Sequence, residues 1–105
     1  MTYRCTTIAL LILTATGAQA QQPRPSDLQV RSLAASCAAC HGTDGRAAPD
    51  SSVPGLAGIP REQLAAQMRA FKTGSRPATV MNQLAKGYSD SQIDQLAGYF
   101  AGVKR

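Results

Sequence analysis

The stretch Cys37-Ala38-Ala39-Cys40-His41 decides the fold of this 105-residue chain. It places two thiols three positions apart and an imidazole directly after the second thiol. C-x-x-C-H is the sequence at which a c-type haem (heme c) is attached. Two thiols at a helix end can each add across one haem vinyl group, and the next residue then offers a ring nitrogen to the iron. The motif therefore predicts one covalent haem c on Cys37 and Cys40, with His41 as an axial ligand.

Two other chemistries use cysteine and histidine at this spacing. A closed structural zinc site needs a fourth protein ligand, and residues 21–105 contain no Cys or His outside the motif. A thioredoxin-like redox pair belongs in a β-α-β setting, and no stretch of this sequence alternates like a strand. The haem interpretation is favoured over both.

The first residues have the pattern of a secretory signal peptide. Arg4 supplies a positive charge, an apolar run extends from Ile8 to Ala15, and Ala18-Gln19-Ala20 fits the small-residue cleavage pattern. The apolar run is shorter than the roughly 20 residues needed to cross a bilayer. We therefore expect residues 1–20 to be a signal peptide, residues 21–105 to form one periplasmic domain, and no stable membrane insertion.

The size and charge of residues 21–105 narrow the function further. A domain of 85 residues has a marginal core unless a disulfide, a metal or a large apolar cofactor supports it. Ten Lys and Arg against six Asp and Glu leave a net charge of +4. No aromatic residues interleave with the basic ones as a nucleic-acid stacking platform requires. We expect no nucleic acid, and an acidic protein partner instead.

The remaining sequence predicts an all-α chain of three to four helices. Ser26 with Gln29, and Ser89 with Gln92, have the capping-box spacing of a helix start. The segment from Gly42 to Ile59 is rich in Gly, Pro, Ser and Asp, which indicates a loop. These signals predict four helices. The first runs into Cys37 with apolar positions Leu28, Leu33 and Ala34, and the second extends from Pro60 to Gly74 with Leu64, Met68 and Phe71. The third is short, over Thr79–Lys86 with Val80 and Leu84, and the last has Ile93, Leu96, Ala97 and Phe100 on one stripe.

The second axial ligand has two candidates, Met68 and Met81. Met68 shares an apolar stripe with Leu64 and Phe71, where methionine usually fills the core. Met81 follows the break at Pro77, where the chain can present a sulfur to the iron. We favour Met81 as the ligand, and an open sixth position is the alternative.

These residues together resemble class I cytochrome c over nearly all of residues 21–105. The shared features are the C-x-x-C-H-G sequence, Pro54-Gly55-Leu56, Met81 and a closing helix with Tyr99 and Phe100. The resemblance implies a small fold packed around one covalently bound haem that transfers single electrons. It also implies that the Pro54 carbonyl accepts the His41 N–H, that Leu56 packs on the haem, and that Leu33 meets the Tyr99/Phe100 end of the last helix.

A narrower resemblance is carried by residues 70–81 and by Ala85-Lys86-Gly87-Tyr88-Ser89-Asp90. They look like the haem subunit of flavocytochrome c sulfide dehydrogenase, although some members of that family carry two haem units in tandem. This likeness implies that the chain accepts electrons from a flavoprotein and has no catalytic residues of its own. The alternatives are a freely diffusing monohaem carrier between a periplasmic donor and a terminal oxidase, and a haem ligand binder. Lys72, Arg76 and Lys86 flank Met81 in sequence as a candidate basic collar for an acidic partner.

Overall fold

The computed structural model describes residues 26–105, so the predicted signal peptide over 1–20 and the following leader lie outside the described residues. Within that range the chain is helical and contains no strand, which confirms the all-α prediction. One turn of 3-10 helix, Thr43–Gly45, interrupts the predicted loop. The α-helices are α1 (Asp27–Ala35), α2 (Ala38–His41), α3 (Arg61–Thr73), α4 (Met81–Lys86) and α5 (Asp90–Gly102).

Both predicted capping boxes are present and start α1 and α5. Gln29 N donates to Ser26 Oγ at 3.2 Å, and Ser26 N donates to Gln29 Oε1 at 3.1 Å. The same reciprocal pair joins Ser89 and Gln92, at 3.1 Å and 2.9 Å. Each box satisfies two backbone N–H groups that a helix start would otherwise leave without partners. The two starts therefore follow from local sequence.

The buried face of α1 differs from the predicted one. Leu28 is 73% exposed, so its assignment to the apolar face is wrong. Leu28 and Leu33 are five positions apart, which places them on different sides of a helix with 3.6 residues per turn. The less exposed positions are Val30, Leu33, Ala34 and Cys37, which have the i, i+3, i+4, i+7 spacing of one face.

The longest helices, α3 and α5, pack against each other and are joined by two ion pairs. Arg69 Nη2 lies 2.6 Å from Asp94 Oδ1, and Lys72 Nζ lies 2.8 Å from Asp90 Oδ1. α3 begins at Arg61, one residue later than predicted, because Pro60 has the non-helical ψ of 137° and is the N-cap and not a first-turn residue. The last residue of α3 is Thr73. Gly74 follows it in the left-handed conformation that is typical of glycine at a helix C-terminus, as predicted.

The core of the described residues is small. Leu64, Ile93, Leu96 and Phe100 are its large members, each at most 4% exposed, and the predicted stripes of α3 and α5 supply all four. The other buried apolar residues are alanines: Ala34, Ala57, Ala65, Ala85 and Ala97. Leu33 and Met68 pack against this cluster, so Met68 is a core residue as predicted. So little apolar volume agrees with a domain that needs a further apolar component.

The short helix before α5 is shorter than predicted and buries a different residue. α4 begins at Met81, because Val80 has the non-helical φ of −124° and precedes its first turn. Val80 and Leu84 are 54% and 49% exposed, whereas Ala85 is fully buried. The predicted Val80/Leu84 face therefore does not pack into the protein core. It leaves apolar side chains on the surface on either side of Met81.

Candidate functional site

The C-x-x-C-H segment folds as a turn that follows α1 and leads into the single-turn helix α2. Cys37 lies at the start of this turn, and its carbonyl oxygen accepts hydrogen bonds from Cys40 N at 3.3 Å and His41 N at 2.9 Å. Cys37 is half-buried, Cys40 is exposed, and no disulfide joins them. The one helical turn therefore holds both thiols and the imidazole together, with the thiols free to react.

Ser36 links the start of this segment to Tyr88, which lies 52 positions further along the chain. Its Oγ donates to Leu33 O at 2.8 Å, so it accepts the hydrogen bond from the Tyr88 hydroxyl at 2.9 Å. Tyr88 lies between α4 and α5, so its hydrogen bond to Ser36 ties the connection between these helices to the residue before Cys37. Burial raises the pKa of the Cys37 thiol, and the neighbouring Ser36 hydroxyl offsets part of that rise.

The orientation of His41 is set by a backbone carbonyl. His41 Nδ1 lies 2.6 Å from Pro54 O, which is the contact that the resemblance implied. A carbonyl oxygen can only accept, so Nδ1 carries the proton and Nε2 keeps a free lone pair. That is the tautomer in which a histidine binds a metal through Nε2 with its other nitrogen held by the protein.

The loop that brings Pro54 to His41 is anchored at its two ends. At its start, Gly42 turns the chain immediately after His41 with φ 82° and ψ 160°. Further along, Gly45 O accepts hydrogen bonds from Leu56 N at 2.7 Å and Ala57 N at 3.1 Å. Leu56 is half-buried and packs against the core cluster. These bonds place the Pro54–Leu56 segment beside the turn that carries the imidazole.

A polar cluster at the 3-10 turn was not found from the sequence. Tyr99 Oη donates to Asp44 Oδ1 at 2.7 Å, and Arg46 Nη1 lies 3.3 Å from Asp44 Oδ2. The Tyr99 hydrogen bond is the main cause that lowers the pKa of Asp44, and it raises the pKa of Tyr99. Arg46 Nε also donates to Lys104 O at 2.9 Å. The Asp44–Tyr99 hydrogen bond holds the turn after His41 against α5. Because these residues are 55 positions apart, no local sequence pattern predicts the contact.

The two methionines occupy different environments. Met68 packs against the core cluster, whereas Met81 is half-buried at the first position of α4 and is not part of that cluster. Of these two methionines, Met81 is therefore the one whose side chain does not pack against the core cluster.

The donor set suits a covalent haem. Two unbridged thiols, an imidazole with a free Nε2 and a thioether outside the core are the groups that a c-type haem uses. The exposed Val80 and Leu84 beside Met81 are the kind of apolar surface that a large apolar cofactor covers. Among residues 26–105, no three or more His, Cys, Asp or Glu side chains lie together as a group that could hold a metal ion.

Comparison with known proteins is decisive for the family. The sequence model of the family described as Cytochrome c matches residues 29–104. The chain belongs to the cytochrome c family. It is a class I c-type cytochrome with one covalently bound haem c, as the motif predicted. Proteins of this kind transfer electrons, and they exchange them with redox partners.

Three relatives illustrate the range of the family. The chain is 45% identical over 71 residues to a thiosulfate dehydrogenase electron acceptor from Thiomonas intermedia, covering 68% of this chain and 33% of that protein. It is 41% identical over 73 residues to the cytochrome subunit of sulfide dehydrogenase from Chlorobaculum tepidum, covering 70% and 64%. Cytochrome c-554(548) from Halomonas halodenitrificans is 38% identical over 69 residues, covering 62% and 81%. The chain thus spans about a third of the first of these relatives and less than two thirds of the second.

The helices of residues 26–105 are too short or too polar to cross a membrane. None of them combines the length and the apolar character that crossing a bilayer requires.

Proposed function

We propose that this cytochrome is a one-electron carrier in which Cys37 and Cys40 would hold the haem and His41 and Met81 would be the ligands of its iron. The hydrogen bond from His41 Nδ1 to Pro54 O carries the proposal, because it directs the free Nε2 lone pair to a metal. When bound, the haem supplies an iron centre that gains and loses one electron.

The protein residues hold this centre in a fixed geometry. Pro54 accepts the hydrogen bond of the imidazole, the α2 turn sets the thiols beside it, and Leu56, which is anchored through its backbone N–H, would offer an apolar side chain to the haem. A thioether as second ligand raises the reduction potential relative to a second histidine. A rigid, fully ligated site changes little between its two oxidation states, which is what rapid electron transfer needs.

A Met81→Ala variant tests the assignment of the second ligand. The absorption band that thioether ligation gives the ferric protein should disappear, and the reduction potential should fall. The matched control is Met68→Leu, because Met68 packs in the core and a change of similar volume there costs little. An unchanged spectrum and potential in Met81→Ala would show that Met81 is not the ligand and would favour the ligand-binder alternative.

We propose further that the donor is a dehydrogenase of reduced sulfur compounds, and specifically a flavoprotein that oxidises sulfide. Two relatives are described as a thiosulfate dehydrogenase electron acceptor and as a cytochrome subunit of sulfide dehydrogenase, which supports a sulfur-oxidising donor. The flavoprotein itself is supported by the similarity of the segment around Met81 to flavocytochrome c. A freely diffusing carrier is the competing function.

Charges near Met81 affect how such a partner would approach. Lys72 is paired with Asp90, and the Arg76 guanidinium stacks 4.7 Å from the centroid of the Phe71 ring. Lys86 forms no ion pair with any of residues 26–105. Arg76 likewise forms no ion pair with these residues, and its contact with the Phe71 ring leaves its charge in place. The proposed basic collar would therefore consist of Arg76 and Lys86, and it would act on the rate of encounter more than on affinity.

Purification from the native source separates the two functions. The first predicts that the cytochrome is recovered with a flavoprotein, and that sulfide reduces the haem in the recovered complex. Recovery as a free monomer that sulfide does not reduce would contradict it. Reduction by thiosulfate through a co-purified protein without flavin would keep the sulfur-compound donor and refute the flavoprotein.

The same preparation tests the proposed location and processing. We propose export to the periplasm with removal of residues 1–20, on the basis of the signal-peptide pattern. The mass of the periplasmic protein should equal that of residues 21–105 plus one haem. A protein that retains its first 20 residues would contradict the cleavage site.

A further inference from the structure

The side chain of Asn82, directly after Met81, is bonded to three backbone groups. Its Nδ2 donates to Phe71 O at 3.1 Å and to Arg76 O at 2.8 Å, and its Oδ1 accepts from Ala78 N at 2.7 Å. A carboxamide has two N–H donors and one carbonyl acceptor. Each of these groups therefore has a partner, and the partners determine which way the amide points.

All three partners belong to the chain that leads to Met81. Phe71 lies in the last turn of α3, and Arg76 and Ala78 lie in the connection from 74 to 80. Every residue of that connection is exposed, so burial contributes little to holding its path. Asn82 is the side chain that joins it to α4, through bonds to both its middle and the helix before it.

The other hydrogen bonds of Arg76 and Ser75 do not reach α4. Arg76 N donates to Ala70 O at 3.1 Å, and Ser75 Oγ donates to the same oxygen at 3.3 Å. These bonds close the turn that follows α3. Beyond Asn82, the connection is tied to α4 by Val80 O, which accepts from Gln83 N at 2.9 Å and Leu84 N at 3.2 Å, and α4 itself is held by its fully buried Ala85.

We propose that Asn82 is a positioning residue for Met81, and that its three hydrogen bonds keep the Met81 thioether at the iron. This inference rests on the proposed function, in which Met81 is the second axial ligand. An external ligand can bind the iron only in molecules whose sulfur has moved away. Its apparent affinity is therefore its intrinsic affinity multiplied by the fraction of such molecules. By ordering the connection, Asn82 keeps that fraction small.

Two variants of Asn82 test this role with imidazole as the probe ligand for the ferric protein. Asn82→Asp has the same size but lacks both N–H donors, and it places a carboxylate opposite the carbonyls of Phe71 and Arg76. Asn82→Ala removes all three bonds. We expect each variant to bind imidazole about tenfold more tightly than the wild type, which corresponds to about 1.4 kcal/mol.

Matched controls separate positioning from general stability. Ser75→Ala removes a hydrogen bond in the same turn that does not reach α4. Asp94→Asn removes the ionic partner of Arg69 between α3 and α5, away from this connection. Both should bind imidazole within about twofold of the wild type, even where Asp94→Asn lowers the midpoint of thermal unfolding. If the Asn82 variants behave like these controls, the positioning role is refuted.

Two further measurements distinguish the ways in which the inference can fail. Met81→Ala should bind imidazole more tightly than any other variant. If it does so and the Asn82 variants do not, only the role of Asn82 fails. If Met81→Ala binds no more tightly than the wild type, the proposed ligand is wrong and this inference falls with it. In the wild type the Ala78 amide should exchange with deuterium much more slowly than an unprotected amide, and rapid exchange there would also overturn the role of Asn82.

Discussion

Replacing Gly42 by alanine should destabilise this cytochrome far more than replacing Gly74, although both glycines have a positive φ. Gly42 has φ 82° and ψ 160°, a region that is accessible almost only to glycine. A Cβ built on Gly42 would lie 2.0 Å from Arg46 O and 2.6 Å from Arg46 C. Both of these are backbone atoms, so no side-chain rotation relieves the clash. Gly74 has φ 80° and ψ 3°, and a Cβ there would have no atom within 4 Å.

The magnitudes follow from these two environments. At Gly42 the backbone conformation costs about 1–3 kcal/mol for a residue with a side chain, and displacing packed atoms adds about 1–3 kcal/mol. We expect a loss of about 4 kcal/mol, which is a large part of the roughly 5–15 kcal/mol that stabilises a typical domain. At Gly74 only the left-handed conformation counts, at about 1–2 kcal/mol.

Equilibrium unfolding of the haem-loaded proteins in guanidinium chloride, followed by circular dichroism, measures the difference. Because the haem stays covalently attached to the unfolded chain, the variants are compared with the same cofactor content. With a slope of about 2–3 kcal/mol per molar for a small protein, the midpoint of Gly42→Ala should lie about 1 M below that of Gly74→Ala. Equal midpoints would refute the argument that the Arg46 backbone closes over Gly42.

Three other results are expected. Phe100→Ala, at a side chain that is 1% exposed, should lower the free energy of unfolding by about 3–5 kcal/mol, and a loss below 1 kcal/mol in urea unfolding would contradict its place in the core. The hydrogen bond from Tyr99 lowers the folded-state pKa of Asp44 below its ordinary value of 3.8, so its contribution is present above that pH and is lost as pH falls through the folded pKa. Asp44→Asn should therefore flatten the acid limb of a plot of stability against pH, and an unchanged limb would count against this hydrogen bond. Lys86→Ala should weaken the salt dependence of electron exchange with an acidic partner more than Lys72→Ala does, because the charge of Lys72 is already paired. Stopped-flow measurements of the exchange rate in increasing salt check this. The reverse order of the two variants would argue against Lys86 as the exposed charge.

The features that the sequence predicted well are those in which neighbours along the chain settle the outcome. A capping box is completed within four residues, so Ser26 and Ser89 mark the starts of α1 and α5 without knowledge of the rest of the fold. The stripe on α5 was likewise correct to the residue, because four apolar positions at helical spacing leave only one face to bury. The prediction failed at Leu28 because α1 carries apolar residues on more than one side, and the buried face is the one that Val30, Leu33 and Ala34 share.

The contacts that shape the site join residues far apart in sequence, and no local pattern indicates them. The Ser36–Tyr88 and Asp44–Tyr99 hydrogen bonds span 52 and 55 positions. Each depends on how α5 and the residues just before it pack against α1 and the 3-10 turn, which is a property of the tertiary structure. Asn82 is an intermediate case: its partners are within eleven positions, but the turn that brings their carbonyls to one amide is not encoded by spacing.

The sequence by itself determined the chemistry of this cytochrome, because Cys37, Cys40 and His41 adjoin one another and covalent attachment needs only their order and spacing. It also determined the helical class and the core stripes, since the period of apolar residues is local information. Only the tertiary structure decided that the Pro54 carbonyl meets His41 Nδ1 and that Val80 and Leu84 remain on the surface. How closely one segment approaches another depends on how all the helices pack together, and that packing involves contacts between residues far apart in sequence.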